Sequence, residues 1–277
     1  MRITALRRSA RSWWRTSRRL LAALWKSPPL LRFVVSGLLI ILVLAGTNWV
    51  YQVAHKPTEV LFALDDTLNK SLRETWREYG PLFREHATAV ITPELLAALA
   101  QLEGAGNPVA RTYWRWRPSW NPLDLYRPAS SAVGMYQITD GTFQIAKHFC
   151  VHDHVVVEEG PWHDMKSCWL NSLYSRVLPS HAIELTAALL DRTVAGAIGR
   201  QRIAVVALQR KQDLAAVIHL CGAGAGQAYV RRDFRLLPHQ RCGDHDVRDY
   251  LARMNAMKRQ FARLASGDKF ERLVSTH

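Results

Sequence analysis

One acidic residue, Glu103, has the type and the position that acid–base chemistry needs. It ends a helical run that Thr92 caps and Pro93 opens, and whose leucines form one apolar stripe. The turn-forming residues 104–108 follow it directly. A carboxyl group at the point where a packed helix opens into a tight turn is held rigidly and half-buried. From this position alone Glu103 could serve as a general acid, but an ordinary surface acid at a helix end is the commoner case and stays the favoured interpretation at this point.

Three separated segments of the chain, in this order, resemble one known family. Residues 102–108 read Leu-Glu-Gly-Ala-Gly-Asn-Pro, residues 132–143 contain Gly-Met-Tyr-Gln-Ile, and residues 246–254 read Asp-Val-Arg-Asp-Tyr-Leu-Ala-Arg-Met. They resemble the catalytic-glutamate segment, the Gly-x-x-Gln-Ile segment and the closing helix of the soluble lytic transglycosylase (SLT) domain. Each motif alone is weak, but the ordered set is specific. The resemblance covers residues 92–260.

The resemblance implies a mainly α, goose-type-lysozyme-like domain that cleaves the β-1,4 bond between N-acetylmuramic acid and N-acetylglucosamine in peptidoglycan. Glu103 would be its single acid and base, and the product would carry a 1,6-anhydro ring. Gln137 and Tyr250 would bond the substrate and orient Glu103, while Met135 and Tyr136 would line the sugar groove. Neither a cofactor nor a metal is expected for such an enzyme.

The chain also departs from the family pattern at positions that bear on function. The family usually has Ser after the catalytic glutamate, where this chain has Gly104. Its Ala-Tyr-Asn-Ala-Gly segment is matched with Cys221 and Gly222 in place of Tyr and Asn. Two alternatives therefore stay open: a lysozyme-type peptidoglycan hydrolase, and a weakly active wall-binding scaffold protein. Asp140 is the nearest second acid and is interpreted as a helix cap.

An aromatic insert, residues 111–126, separates the first two motifs. It carries Trp114, Trp116 and Trp120. Because indole faces stack on the apolar faces of sugar rings, these residues are candidates for substrate binding in a groove wall or lid. A loop that folds back and buries its aromatic side chains is the alternative.

The charge of the chain indicates a membrane protein. Of the net charge of +14, residues 1–32 contribute +9, and residues 33–54 carry no charge. About 20 apolar residues span a bilayer, and cations mark the cytoplasmic side. We expect a single-pass protein of the bacterial inner membrane with a cytoplasmic N-terminus, a periplasmic catalytic domain and no nucleic-acid partner. A cleaved signal peptide is the alternative.

Four cysteines follow the apolar segment, where oxidising conditions allow disulfides. Of the three pairings, we favour Cys150 with Cys168 and Cys221 with Cys242. A metal site is the alternative near residues 148–154, which hold three histidines beside Cys150. No second ligand pair at zinc-site spacing accompanies these histidines, so no metal is predicted.

These interpretations give a layout along the chain. It comprises a basic cytoplasmic tail (1–32), a transmembrane helix (33–54), an amphipathic stalk (55–91), the SLT-like domain (92–265) and a C-terminal tail (266–277). Within it, the sequence predicts helices over residues 58–79, 167–177, 182–198, 203–220 and 247–265, with Gly80-Pro81 ending the first and a hairpin or irregular loop over 155–161. The expected partners are peptidoglycan glycan strands, the inner membrane, and an envelope-spanning or wall-remodelling complex whose biological setting the sequence leaves open.

Overall fold

The computed structural model describes residues 25–63, 66–161, 163–164 and 167–275. The chain is mainly helical, with eight α-helices in these ranges. They are α1 (Pro29–His55), α2 (Leu72–Glu85), α3 (Pro93–Gly104), α4 (Asp140–Ala146), α5 (Pro179–Arg200), α6 (Leu208–Cys221), α7 (Ala223–Arg231) and α8 (Val247–Ser275). The short strands are β1 (Trp114–Trp116), β2 (Tyr126–Pro128), β3 (Phe149–His152), β4 (Val155–Glu158), β5 (Arg241–Cys242) and β6 (His245–Asp246).

The chain divides into two units. The first comprises Met1–Pro57 and Trp116–Arg127, and the second comprises Thr58–Arg115 and Pro128–His277. In the first unit, α1 contains the whole of the apolar stretch 33–54 and is long and apolar enough to cross a membrane, as an anchor or a signal sequence would. Residues 1–24, most of the predicted basic tail, lie outside the described residues, as does Leu64 of the predicted amphipathic helix.

The core of the second unit forms around α3, which is buried on nearly every side. Leu95, Leu96 and Leu99 have no exposed surface, and Met254 and Phe261 of α8 are equally buried in the same hydrophobic cluster. A helix that is apolar all round is the pattern of a central core helix rather than of a surface helix. Glu103 is therefore attached to a helix that is buried in the core of this unit.

The structure corrects the predicted amphipathic stalk. Residues 57–68 contain two short 3₁₀ helices, Pro57–Ala63 and Asp66–Leu68, and the α-helix α2 begins only at Leu72. A capping box starts it: Ser71 accepts a hydrogen bond from the Glu74 amide, and the Glu74 carboxylate accepts one from the Ser71 amide at 2.8 Å. The 3₁₀ segment precludes one continuous stripe from Leu61 to Tyr79.

The prediction that Gly80-Pro81 ends this helix is also wrong, because α2 runs through both residues to Glu85. Proline lacks one backbone donor, but three aromatic side chains hold the helix on both sides of it. Trp76, Tyr79 and Phe83 are at most 3% exposed and belong to the core cluster. The helix therefore lies inside the second unit, which begins at Thr58 rather than at the predicted boundary of residue 92.

Three further segments differ from prediction. Residues 167–177 contain only a 3₁₀ helix, Trp169–Leu173, because this stretch is tied back through the disulfide at Cys168. Gly222 ends α6, but the glycine-rich residues 223–226 lie in a further helix, α7, that the sequence did not predict. The last helix, α8, continues to Ser275, where the prediction has a tail from residue 266. Strands β3 and β4 form the antiparallel hairpin, with His152 opposite Val155.

Both disulfides have the sequential pairing favoured by the sequence. Cys150 of β3 is bonded to Cys168, and Cys221 at the end of α6 is bonded to Cys242 of β5. Disulfides of this kind indicate an oxidising compartment. The second bond joins the end of α6 to the hairpin that leads into α8.

Candidate active site

Glu103 lies in the last turn of α3, where the backbone leaves the helix through a left-handed residue, Ala105, with φ of 49°. The amide of Ala105 donates to the carbonyl of Gln101 at 3.0 Å, and the amide of Gly106 donates to that of Ala100 at 3.1 Å. Such paired bonds close a helix end firmly. The Glu103 side chain is 18% exposed, so solvent reaches the carboxyl group while the helix end holds it in place.

Tyr250 of α8 binds this carboxyl group directly. Its hydroxyl donates a hydrogen bond of 2.5 Å to Glu103 Oε1, although 147 residues separate the two in sequence. Burial, followed by the neighbouring charge of Glu103, raises the pKa of Tyr250 well above its ordinary value. The phenol therefore stays protonated and remains a donor, and Oε2 is the carboxylate oxygen left to face a reacting group.

His219 is a third member of the site, and sequence reasoning missed it. It lies in the last turn of α6, with Nε2 3.8 Å from Glu103 Oε1 and a side chain that is 14% exposed. The imidazole forms an ion pair with the carboxylate only when it is protonated. The feature of the sequence that could have drawn attention to His219 is its position two residues before Cys221, in the segment that departs from the SLT pattern. Helical periodicity alone does not show which residue of another helix a side chain faces.

The close packing behind Glu103 explains why glycine follows it. A Cβ atom added at Gly104 would lie 2.8 Å from Met135 Cα and 3.1 Å from the Met135 carbonyl oxygen. Both are backbone atoms, which cannot rotate away as a side chain can. The glycine that departs from the family pattern thus lets the end of α3 pack against the backbone of residue 135.

We predict that Gly104→Ser, which introduces the residue that the SLT pattern has at this position, destabilises the protein by about 1–3 kcal/mol through this overlap. For a unit of this size each kcal/mol lowers the melting temperature by about 2–4 °C, which calorimetry would measure. Gly141→Ser is the matched control, because a Cβ there meets no atom within 4 Å. Equal melting temperatures for the two variants would contradict the packing explanation.

The segment predicted to line the groove uses most of its side chains internally. Gln137, at φ of 48°, donates through Nε2 to the carbonyls of Ala110 at 3.1 Å and of Gly134 at 3.0 Å. The prediction for Met135 and Tyr136 is corrected, since neither side chain has any exposed surface and the Tyr136 hydroxyl donates to the Leu96 carbonyl. In this turn the side chains point into the core, and only the backbone of residue 135 lies against the end of α3.

Arg176 holds the same segment from outside, a role that no sequence pattern predicts. Its NH1 donates to the carbonyls of Ser131 at 3.0 Å and Ile138 at 2.9 Å. Its NH2 lies 2.7 Å from Asp140 Oδ1, so the carboxylate of Asp140 forms an ion pair on the surface. The N-cap of α4 is Thr139 rather than Asp140. Asp140 therefore stabilises the segment, and its geometry gives no support to a catalytic role.

The three tryptophans of the insert are divided between the two units of the chain. Trp114 belongs to the second unit, where its indole donates a 2.8 Å hydrogen bond to the buried carboxylate of Glu59, which also pairs with Arg111. Trp116 and Trp120 belong to the first unit and are exposed. The structure thus does not bring these two side chains into the unit that holds Glu103.

The Cys221–Cys242 disulfide links the two segments that carry His219 and Tyr250. Cys221 comes two residues after His219, and Cys242 lies in the hairpin directly before α8, which carries Tyr250. Where the SLT pattern has Tyr, this chain has Cys221, which forms a covalent link beside the site.

We predict that Cys221→Ser combined with Cys242→Ser lowers both stability and activity. Opening a ring of 21 residues costs about 3 kcal/mol on the chain-entropy estimate. The matched control is Cys150→Ser with Cys168→Ser, whose ring of 18 residues should cost about as much. Activity measured well below both melting temperatures should fall only in the first variant, because only that ring joins site elements. An equal loss of activity in both would contradict a local effect.

The histidines near residue 150 do not assemble a metal site. Among the described residues no group of three or more His, Cys, Asp or Glu side chains could hold a metal ion. His148 pairs with Glu159, and His154 contacts the carbonyl of Ala87 through Nδ1 at 2.9 Å. These side chains instead hold the β3–β4 hairpin in place.

The site thus consists of a carboxyl group with one oxygen fixed by a phenol, one oxygen left open, and an imidazole beside it. Such an arrangement can donate and then accept a proton at the open oxygen. Comparison of the chain with protein-family models, with curated proteins and with solved structures finds no match.

Proposed function

We propose that this protein is a membrane-anchored peptidoglycan lytic transglycosylase with Glu103 as its single acid and base. The observation that carries the proposal is the 2.5 Å hydrogen bond from Tyr250 to Glu103. The resemblance to the SLT domain implies this contact between two segments far apart in sequence. Its presence supports the family assignment, and the assignment supplies the substrate, the bond between N-acetylmuramic acid and N-acetylglucosamine in glycan strands.

The proposed reaction uses the open oxygen of Glu103 twice. Protonated Oε2 first gives its proton to the glycosidic oxygen, and the bond from that oxygen to the anomeric carbon breaks. The resulting carboxylate then takes the proton of the muramic 6-hydroxyl while that oxygen bonds to the same carbon. The product is a 1,6-anhydro ring, no water is consumed, and Glu103 returns to its protonated form.

A single carboxyl group is unusual, since most glycosidases use two. Asp140, the nearest acid in the sequence motif, is paired with Arg176. The proposed substrate contact is the Gln137 side chain, with Tyr250 as a positioning residue because it is only 2% exposed. Loss of the usual Asn at Gly222 removes one amide from this set.

One observation favours a second candidate, a lysozyme-type hydrolase. His219 lies 3.8 Å from Glu103 Oε1, and a neutral imidazole can accept a proton from water. Water would then attack the anomeric carbon in place of the muramic 6-hydroxyl. The two reactions differ in their products, because hydrolysis leaves reducing ends.

The test is digestion of purified sacculi by the full-length protein in detergent, with the products identified by mass spectrometry. We expect soluble muropeptides with 1,6-anhydro ends, which are lighter by one water than the hydrolysis products. Reducing ends would instead support the hydrolase. Binding to sacculi without release of soluble products would support the wall-binding scaffold.

The proposed location places the catalytic unit in the periplasm with α1 as an uncleaved anchor in the inner membrane. The cation bias of residues 1–32 and the two disulfides support this orientation. A reporter fused after His277 should be exported, and a reporter fused before Arg2 should not be. A complex that spans the envelope, or the machinery that remodels the wall, would then be the partner of the periplasmic unit.

A further inference from the structure

The segment Trp116–Arg127, here called the aromatic loop, folds onto the C-terminal end of α1. Gln52 donates through Nε2 to the carbonyl of Leu123 at 2.6 Å, and Asn48 donates through Nδ2 to the carbonyl of Tyr126 at 2.8 Å. Asn48 and Gln52 are four residues apart, so they lie on the same face of the helix. The loop thus meets α1 along about one turn of that face.

The loop is a defined structure in this position. Asn121 accepts a hydrogen bond from the Leu123 amide at 3.1 Å, and its Nδ2 donates to Asp124 at 3.0 Å and to the Tyr51 hydroxyl at 3.3 Å. The amide of Arg117 donates to the carbonyl of Leu125 at 2.8 Å. None of these hydrogen bonds uses a tryptophan side chain.

The level of this contact along α1 is the level at which the helix leaves a bilayer. A hydrocarbon core takes about 20 helical residues, so a span that starts at Phe33 leaves it near Gln52. Two side-chain amides facing hydrocarbon without partners would each be costly. The carbonyl groups of Tyr126 and Leu123 each accept a hydrogen bond from one of these amides. This arrangement is expected where the loop and the helix enter the membrane boundary together.

The loop presents large aromatic side chains outward at this level. Trp120 is fully exposed, and Trp116 is 75% exposed, with its ring centroid 4.9 Å from that of Tyr126. Arg117 is exposed beside them. Tryptophan and tyrosine are enriched at membrane interfaces, and arginine pairs with the phosphates of anionic lipids.

We propose that the aromatic loop inserts Trp116 and Trp120 into the headgroup boundary of the bilayer that α1 spans, as a second contact with the membrane. The occupant of this surface is the phospholipid interface, to which α1 makes the loop contiguous. The inference rests on the uncleaved anchor of the proposed function, and it replaces the sugar-stacking role expected for these two residues from the sequence.

The test places a reporter between the two tryptophans. The full-length protein with Ser119→Cys, its native disulfides intact, is labelled with a small environment-sensitive fluorophore and put into nanodiscs of phosphatidylethanolamine and phosphatidylglycerol. Quenching by iodide, a water-soluble collisional quencher that leaves disulfides intact, should be at least about tenfold slower than for a label at Val205→Cys, a ratio that corresponds to about 1.4 kcal/mol. Val205 is the control because it is 88% exposed in the second unit.

The decisive variant adds Trp116→Ser and Trp120→Ser to the Ser119→Cys protein. We expect the label to lose its protection while the labelled control at residue 205 does not change. Protection that survives the double substitution would overturn the proposal, because the tryptophans would not be the contact. Protection that requires added glycan strands rather than lipid would also overturn it, and would return these residues to the sugar groove.

The result separates this inference from the anchor and from catalysis. If the protein stays in nanodiscs while residue 119 is quenched as fast as residue 205, the inference fails and the anchor stands. If the protein does not enter nanodiscs, both the anchor and the inference fail. Digestion of sacculi is measured independently, so loss of the proposed activity leaves the lipid contact unaffected.

Discussion

Glu103→Gln should abolish the release of anhydro-muropeptides while leaving the fold and binding to sacculi intact. The substitution keeps the shape of the side chain and still accepts the hydrogen bond from Tyr250, but it removes the proton that the reaction transfers. Loss of general acid–base catalysis typically costs about 10²- to 10⁴-fold. Because both proton transfers use this one residue, we expect the upper end of that range in a sacculus digestion followed by mass spectrometry.

The matched control for Glu103→Gln is Asp140→Asn. Asp140 is exposed and paired with Arg176, so its loss should weaken one surface ion pair and leave most of the activity. The opposite pattern, activity within a few-fold of wild type for Glu103→Gln and none for Asp140→Asn, would show that the site is built on another acid.

The pH profile of the wild-type protein should reflect the two roles of Glu103. The first step needs the carboxyl group protonated, and the second uses the carboxylate that the first step leaves. Tyr250 should add no alkaline limb below about pH 10, the ordinary pKa of tyrosine. Its pKa is raised, so the hydroxyl keeps its proton as the pH increases through this range.

Tyr250→Phe should lower turnover by about 10- to 100-fold with little change in KM. Hydrogen bonds to charged groups contribute about 1.5–3 kcal/mol, and each 1.4 kcal/mol is about tenfold in rate. The phenyl ring fills the same buried space, but Glu103 Oε1 loses its donor and the carboxyl group loses its fixed orientation. Kinetic measurement on glycan strands gives turnover and KM separately. KM should change little because Tyr250 is buried and does not contact the substrate.

Tyr136→Phe is the control for the loss of a buried hydroxyl. It removes the hydrogen bond to the Leu96 carbonyl, which should cost about 1 kcal/mol of stability. Because the Tyr136 side chain has no exposed surface, turnover well below the melting temperature should stay near that of wild type. A large loss of turnover here, or none in Tyr250→Phe, would contradict the roles assigned to the two tyrosines.

The sequence predicts the part of the site that depends on local pattern. The start of α3 at Pro93, the turn after Glu103 and the start of the last helix at Val247 all follow from periodicity and from Gly and Pro positions. The contact between Glu103 and Tyr250 was expected from the family resemblance alone, since no local rule joins residues so far apart.

What the sequence did not predict depends on tertiary packing. The continuation of α2 through Pro81 follows from aromatic side chains that face the core, and the burial of Tyr136 follows from a turn in which Gly134 and Gln137 have positive φ. His219 reaches Glu103 only because of the direction in which α6 ends. The hydrogen bonds of the aromatic loop to α1 span about 70 residues of sequence, and composition carries no information on such pairing.

The order of the two disulfides has a consequence for how the protein matures. A chain that is exported from its N-terminal side presents Cys150 and Cys168 to the oxidising compartment before Cys221 and Cys242 emerge. Each native bond joins a cysteine to the next one along the chain, at sequence separations of 18 and 21. Oxidation in order of emergence therefore gives the native connectivity directly, whereas a crossed pattern would need later exchange between thiols and disulfides.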